Sequence, residues 1–180
     1  TRSVGVVCYN IGAQNRQFLA ALDTATALAT SWNPAPNGIV YALASARNSV
    51  YVGGYFTSIG GASRTNLAEI KISNGQSTSF NLSCTGGGVF ALATSCCNLY
   101  VGGVFTNIAG AGRTYFAGLN MDTGKVLPWT NNANSIVYAL ATSDDTVYLG
   151  GYFSAVGGVS RSRLAAVDGR TQRAVTDLDQ

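Results

Sequence analysis

"VYVGGYFTSIGGASR", Val50–Arg64, returns as "LYVGGVFTNIAGAGR", ending at Arg113, and as "VYLGGYFSAVGGVSR", ending at Arg161. The similarity extends outward. Val40-Tyr41-Ala42-Leu43 recurs as Val89-Phe90-Ala91-Leu92 and Val137-Tyr138-Ala139-Leu140. Gly53-Gly54 recurs as Gly102-Gly103 and Gly150-Gly151, and Phe56 recurs as Phe105 and Phe153. The steps are 49 and then 48 residues. A fixed period of this length marks a repeat architecture. A decayed copy opens the chain. Val4-Gly5, Ile11-Gly12, Arg16 and Leu19-Ala20 stand 48 residues before Val52-Gly53, Ile59-Gly60, Arg64 and Leu67-Ala68.

Each full copy divides into four apolar segments bounded by turn residues. In the second copy these are a (Val40–Ala44), b (Ser49–Phe56), c (Asn66–Ile72) and d (Ser77–Phe80). They are short, rich in Val, Tyr, Phe and Ile, and partly alternating, which reads as strand. Asn74-Gly75 lies between c and d and predicts a type I′ hairpin, matched by Asp122-Thr123-Gly124 and Asp168-Gly169. Gly60–Ser63, between b and c, predicts a longer loop. Leu19–Thr30 contains helix formers, but it aligns with c and d and so reads as strand.

The fold expected is all-β: a β-propeller built from four-stranded antiparallel blades, about four repeats of 48–49 residues with the first incomplete. The blades are 1–36 (partial), 37–85, 86–134 and 135–180, in a single propeller or a propeller fragment. A β-trefoil also uses four strands per repeat, but it closes with three and has no place for the decayed copy. The Gly pair is expected to allow unusual backbone angles and close approach by a neighbouring blade. The chain opens in mid-pattern, at strand b of blade 1, which suggests a processed chain or a piece of a larger one. An open arc leaves strand edges that invite pairing, so a fragment or an assembly is favoured over a self-sufficient ring.

The pattern "VYVGGxFTxIGGxxRxxLAxL", followed by "DxxTGxxxxW" and "NxxVYALA", resembles the delta-60 type of kelch-like β-propeller repeat. Asp122-Thr123-Gly124 with Trp129, and Trp32-Asn33-Pro34 with Asn37-Gly38-Ile39-Val40, carry its second half. The fourth copy departs there, with Asp177 in place of the Trp, and the first has Gly5-Val6 for the Gly pair and Cys8 for the Phe. The resemblance implies the propeller fold and an extracellular or cell-surface setting. It implies no reaction, since such a repeat is a scaffold.

Composition narrows the function. Charged residues make up only 11%, against about 25% in an ordinary globular protein. The apolar fraction of 47% still supports a real core. The net charge of +3 comes with no Lys/Arg-rich block, which argues against nucleic-acid binding. The apolar runs are short and broken by Gly, so no segment reads as membrane-spanning. The chain has no histidine, which removes the commonest general base and transition-metal ligand, and with them serine–histidine or cysteine–histidine catalysis in its usual form.

Asp122 and Asp168 sit at hairpins and read as turn formers. Asp144-Asp145 lies in the a–b turn of blade 4, where a paired glycosidase role is conceivable, but neighbouring acids on a turn ordinarily face water. Arg16, Arg64, Arg113 and Arg161 recur in every copy. One reading is an anion site for sulfated or carboxylated glycans. The other is that each guanidinium ties its own Gly-rich loop by donating to backbone carbonyls, and repetition in every blade favours that. Tyr41, Phe90 and Tyr138, with Phe56, Phe105 and Phe153, are expected to be inter-blade core. Trp32 and Trp129 are read as core, or as the lining of a sugar pocket.

Cys84, Cys96 and Cys97 are candidates for disulfide chemistry. Cys84 lies at the far end of a strand from Cys96-Cys97, about 17 Å away, so it should pair with neither unless its loop folds back; the adjacent pair could close on itself or reach another subunit. Cys8 reads as a buried thiol. Asn81-Leu82-Ser83 is an N-glycosylation sequon. No metal site and no cofactor is expected. The function expected is therefore a non-enzymatic extracellular scaffold for protein interaction or self-assembly, with the variable a–b turns as its contact surface. The alternatives are a glycan-binding lectin with sites between blades and, behind it, a glycan-active enzyme.

Overall fold

The structure is a computed structural model that describes residues 2–5, 10–11, 14–128 and 132–170. All of its described regular structure is β. Blade 1 contains β1 (Arg2–Gly5), β2 (Asn10–Ile11), β3 (Gln14–Asn15) and β4 (Leu19–Leu22). Blade 2 contains β5 (Ile39–Ala46), β6 (Ser49–Tyr55), β7 (Ser58–Ile59), β8 (Ala62–Ser63) and β9 (Leu67–Lys71). Then come β10 (Cys84–Thr85), β11 (Val89–Ser95), β12 (Asn98–Gly103), β13 (Asn107–Ile108), β14 (Ala111–Gly112) and β15 (Phe116–Asn120). Blade 4 contains β16 (Val137–Ser143), β17 (Thr146–Gly151), β18 (Ala155–Val156), β19 (Val159–Ser160) and β20 (Leu164–Asp168). The chain divides into two compact units, Thr1–Ser83 and Cys84–Gln180.

Segments a, b and c form antiparallel sheets in the order β5-β6-β9, β11-β12-β15 and β16-β17-β20, and blade 1 retains the β1-β4 pair. Segment d is not a full strand. It touches c through single bridges, Leu22↔Ala29, Ile70↔Ser77 and Leu119↔Val126. Its hydrogen bonds go elsewhere: Ser77 donates from N to the Gly60 carbonyl and from Oγ to the Ile59 carbonyl, which draws d toward the b–c connection instead of along c.

That connection is a tight hairpin rather than the longer loop expected. β7 and β8 pair through Ile59↔Ala62, around Gly60 and Gly61 at φ +60° and +75°. Positive φ at both loop residues is the type I′ requirement. Ala109-Gly110 and Gly157-Gly158 repeat it in blades 3 and 4. The c–d turn is the reverse case. It is not the two-residue type I′ turn that Asn74-Gly75 suggested, because only Gly75 has positive φ. Lys71 N donates to the Gln76 carbonyl and Gly75 N to the Lys71 carbonyl, so the loop holds four residues. Asn120 to Lys125 and Asp23 to Leu28 close the same way.

The residue before strand c takes a positive φ in all four copies: Phe18, Asn66, Tyr115 and Arg163, at +61°, +62°, +64° and +67°. Each is the centre of a γ-turn, with the next N–H donating to the preceding carbonyl, as Leu67 does to Thr65 at 2.7 Å. Such a turn is strained for any L residue; at Asn66 the side chain adds a bond, its Oδ1 accepting from Phe56 N at 3.1 Å.

Val40, Val50, Val52, Phe56, Ile59, Ala68 and Ile70 of blade 2 bury together with Leu19 of blade 1. In the second unit the matching set from blade 4 buries with Tyr100 and Phe116 of blade 3. Phe56, Phe105 and Phe153 are buried as expected. Tyr41, Phe90 and Tyr138 are not core: Tyr41 and Tyr138 are half-exposed and Phe90 is partly so. The register of strand a shifts between Val40 and Ala42, Val89 and Ala91, and Val137 and Ala139. A β-bulge re-aims a side chain, and here it turns the aromatic out of the apolar face.

The Gly pair answers to both neighbours. A Cβ on Gly54, Gly103 or Gly151 would overlap the carbonyl oxygen of Ile39, Gly88 or Ile136, at or just before the start of strand a of the same blade. A Cβ on Gly102 would instead lie 2.6 Å from Val137 Cγ1 of the next blade. Neither member of the pair has positive φ, so the requirement is space rather than unusual backbone angles.

Candidate functional site

The a–b turns are two-residue tips of one geometry: Arg47-Asn48, Cys96-Cys97 and Asp144-Asp145. The first residue of each has a positive φ, +54°, +48° and +49°. All six are exposed. In the second unit the neighbouring tips are stitched together. Ser95 Oγ donates to the Asp144 carbonyl at 2.7 Å, Thr142 Oγ1 to the Thr94 carbonyl at 2.9 Å, and Gly169 N to the Asp145 carbonyl at 2.6 Å. Tyr100 lies beneath them. Burial pushes its hydroxyl pKa up, against the pull of a hydrogen bond from Asn98, and Asp145, Cys96 and Asp168 add to the rise. Thus Asp145, Asp168 and Cys96 surround one end of the second unit, with the Asp144 and Asp145 side chains facing water.

The arginines do not converge. Each is committed inside its own blade. Arg16 donates to the Asn15 and Thr30 carbonyls, Arg64 to Ser63 and Thr78, and Arg113 to Gly112 and Leu127. In each case the bonds go one residue back and 14 residues on. The guanidinium therefore clamps the b–c hairpin to segment d, which replaces the ladder that d lacks. Arg161 makes the backward bond to Ser160, and the residue 14 further on lies outside the described residues. The Nε–H groups of Arg16, Arg64 and Arg113 are buried without a partner.

Sequence reasoning used Asn37 only as part of a motif, with no role for its side chain, and passed over Asn134. The Oδ1 of Asn37 accepts from the N–H of Thr57 and Ser58, and that of Asn134 from Ser154 and Ala155, pinning the start of each b–c hairpin. It also placed turn formation on Asp122, where the cap is Asn120: its Oδ1 accepts from Asp122 N, Thr123 N and Thr123 Oγ1. Asp168 does cap, accepting from Arg170 N. Asp23 repeats the Asn120 motif. Hydrogen bonds from Thr26 N, then Thr26 Oγ1 and Ala25 N, hold its carboxyl below the usual 3.8. Its folded pKa lies below its unfolded value, so its contribution to stability is present above the unfolded value and lost as pH falls through the folded one. A carbon-detected NMR titration should give Asp23 a midpoint under 3.8, and Asp23→Asn should keep the cap while removing that pH dependence; a midpoint at or above 3.8 contradicts the cap.

The described cysteines are thiols, not disulfides. Cys84 is buried, which pushes its pKa up, while Cys96 and Cys97 are exposed at their tip. No bridge joins Cys96 to Cys97 or either to Cys84. Cys8 and Trp129 lie outside the described residues. Asn81 is exposed, with its Oδ1 accepting from Ser83 N at 3.3 Å.

Trp32 is partly core and partly open. It packs against the blade 2 core, its Nε1 donates to the Lys71 carbonyl at 3.0 Å, and it walls an open crevice of about 790 Å³. Thr30, Ser31, Ser45, Arg47 and Asn74 line the crevice beside it. A second aromatic feature is exposed. Tyr41 and Tyr55 meet edge to face at 6.0 Å. In the other unit Phe90 stacks on Tyr138 at 5.5 Å, and Tyr138 meets Tyr152 at 5.7 Å. Among the described residues no group of three or more His, Cys, Asp or Glu could hold a metal, and no helix is long and apolar enough to cross a membrane.

Comparison with known proteins bears on this geometry. The model of a domain of unknown function, DUF5122, described as a β-propeller, matches residues 48–71 and 142–165. Both stretches run from an a–b turn through the hairpin into strand c. The chain is a propeller repeat protein. No curated protein matches it. Among solved structures, this propeller chain is similar to the computationally designed Ika8 protein in its crystal packing No.1 in P63. The TM-score is 0.54 at 18% identity, over 89% of this chain and 55% of that one. It spans, then, little more than half of Ika8. The computationally designed Ika4 protein matches with a TM-score of 0.42 at 17% identity, over 64% of this chain and 86% of that one.

Proposed function

We propose that the chain is a non-enzymatic interaction and assembly scaffold of the delta-60 kelch-like type, acting outside the cell or at its surface. One observation carries this reading: the a–b tips keep one backbone geometry while their chemistry changes from Arg-Asn to Cys-Cys to Asp-Asp. A guanidinium, a pair of thiols and a pair of carboxyl groups are presented on matched mounts. The scaffold positions repeat and the tips do not, as expected where rigid elements hold up variable contact residues. The exposed sequon at Asn81 accords with the setting.

The test is a binding screen of extracellular proteins against the wild type and against a variant with all three tips replaced by Gly-Ser. Gly at the first position suits the positive φ found there, so the fold should survive. The reading expects partners that the variant loses while its melting temperature holds. Partners kept by the tip variant would refute it, as would a glycan-cleaving activity abolished by Asp144→Asn or Asp145→Asn.

The Trp32 crevice supports a second reading, a lectin for neutral sugars, since an indole wall with hydroxyl and amide groups around it suits sugar stacking and hydrogen bonding. A glycan array read with wild type and Trp32→Ala decides it: binding lost in the variant favours the lectin, and an array with no signal removes it.

A further inference from the structure

Equivalent positions differ in burial along the chain. Tyr51 and Tyr100 are 3% and 2% exposed, but Tyr148 is 36% exposed. Leu67 and Phe116 are 0% and 1% exposed, but Leu164 is 57% exposed. Within the second unit the cover for Tyr100 and Phe116 is visible. They bury against Val137, Val147, Leu149, Val156, Ala165 and Val167 of blade 4, and the Tyr100 hydroxyl lies where a side chain at Gly169 would stand. Leu19 of blade 1 inserts in the same manner into the aliphatic core of blade 2. Blade 4 therefore carries the same inserting pair, Tyr148 and Leu164, on a face that is open.

Blade 1 carries the receiving half. Val4, Ile11, Ala20 and Leu22 occupy the repeat positions of Leu149, Val156, Ala165 and Val167. β1 and β4 pair in the register of β17 and β20, with Val4↔Ala20 matching Leu149↔Ala165. Ile11 and Leu22 are only half-buried, whereas Ile59, Ile108 and Val156, and Ile70, Leu119 and Val167, are fully buried. Blade 4 thus exposes an inserting pair, Tyr148 and Leu164, and blade 1 leaves two receiving residues, Ile11 and Leu22, only half-buried.

We infer that blade 4 of one copy docks onto blade 1 of a second copy, repeating the blade 3–blade 4 packing, with Leu164 and Tyr148 meeting Ile11 and Leu22. This rests on the assembly half of the reading above and names its surface. The contact is heterologous, so copies join head to tail, giving a closed ring if the rotation closes and an open array if it does not.

Sedimentation velocity across a concentration series tests it. The wild type should show a species at a whole multiple of 18.6 kDa. Leu164→Asp, at a position exposed in the single chain and so harmless to its fold, should weaken association at least about 30-fold, as expected of a central contact residue, with near-UV circular dichroism unchanged. Leu22→Asp should do the same from the other side. Mixing the two variants leaves one intact face on each, so a dimer and nothing larger should return. If Leu22→Asp fails to fold, Ile11→Asp replaces it. A wild type that is monomeric at every concentration overturns self-docking and leaves binding to other proteins to the tip variant. A multimer that survives Leu164→Asp overturns this surface while leaving assembly in place.

Discussion

Gly103→Ala is expected to lower the stability of the chain by about 3 kcal/mol, at the upper end of the usual overpacking cost. That is a fall of roughly 6–12 °C in melting temperature for a protein of this size. The added methyl would overlap the Gly88 carbonyl oxygen, and its next neighbours are the Val89 Cα at 3.0 Å and the Gly88 carbonyl carbon at 3.1 Å. All of these are backbone, so no side chain can swing aside. Strand b cannot retreat either, because Gly103 N donates to the Tyr115 carbonyl at 2.9 Å on its other edge. Gly54→Ala should behave alike, caught between the Ile39 carbonyl and the bond to Asn66. Gly112→Ala is the control. Nothing lies within 4 Å of its new methyl and its φ is ordinary, so it should be neutral or stabilising by up to about 1 kcal/mol through the unfolded chain. Thermal melts of the three variants decide the matter. Equal losses at positions 103 and 112 would mean that the close approach is not the cause.

Phe105→Ala is expected to cost about 3–5 kcal/mol, the range for deleting a buried aromatic. Phe105 is 0% exposed and follows strand b, as Phe56 and Phe153 do in blades 2 and 4. Tyr138→Ala should cost no more than about 1.5 kcal/mol, the size of one aromatic pair, because half of that side chain is already in water and its main contact is the stack on Phe90. Both residues belong to the same repeated motif, so motif membership alone would forecast similar effects. Urea titrations of the two variants should separate them by at least about 1.5 kcal/mol, the gap between those ranges. A Tyr138→Ala loss equal to that of Phe105→Ala would show that the bulged aromatics act as core.

The repeat period, the a, b and c strands and the burial of Phe56, Phe105 and Phe153 were legible because they rest on composition and period-two pattern. Segment d was not. Ser77 has a strand former's neighbours, but its bonding partners, Gly60 and Ile59, come from a hairpin 17 and 18 residues back. Tyr41 and Tyr138 misled for a related reason. Alternation assigns faces only while the register holds, and one extra residue in strand a reverses the face at that point. The a–b tips were visible as turns, but their shared positive φ was not, since Arg, Cys and Asp do not advertise it. The clamp by Arg64 was readable as a reason for repetition; its reach of 14 residues to Thr78 came only from the coordinates.

The hydrogen bonding of each blade is local, and the clamp illustrates it: Arg64 finds its acceptors before residue 79 and Arg113 before residue 128. The apolar cover of the same blade is not local. Tyr100 and Phe116 wait for residues 137–169. As the chain leaves a ribosome, a blade can therefore close its backbone ladder well before it can bury its face. Its assembly in time is a relay, in which each new blade releases its predecessor from exposure and inherits the same exposure itself. The loop-closure entropy of each step is modest, and the rate at which such a chain folds should follow the arrival of the next blade more than the zipping of the present one.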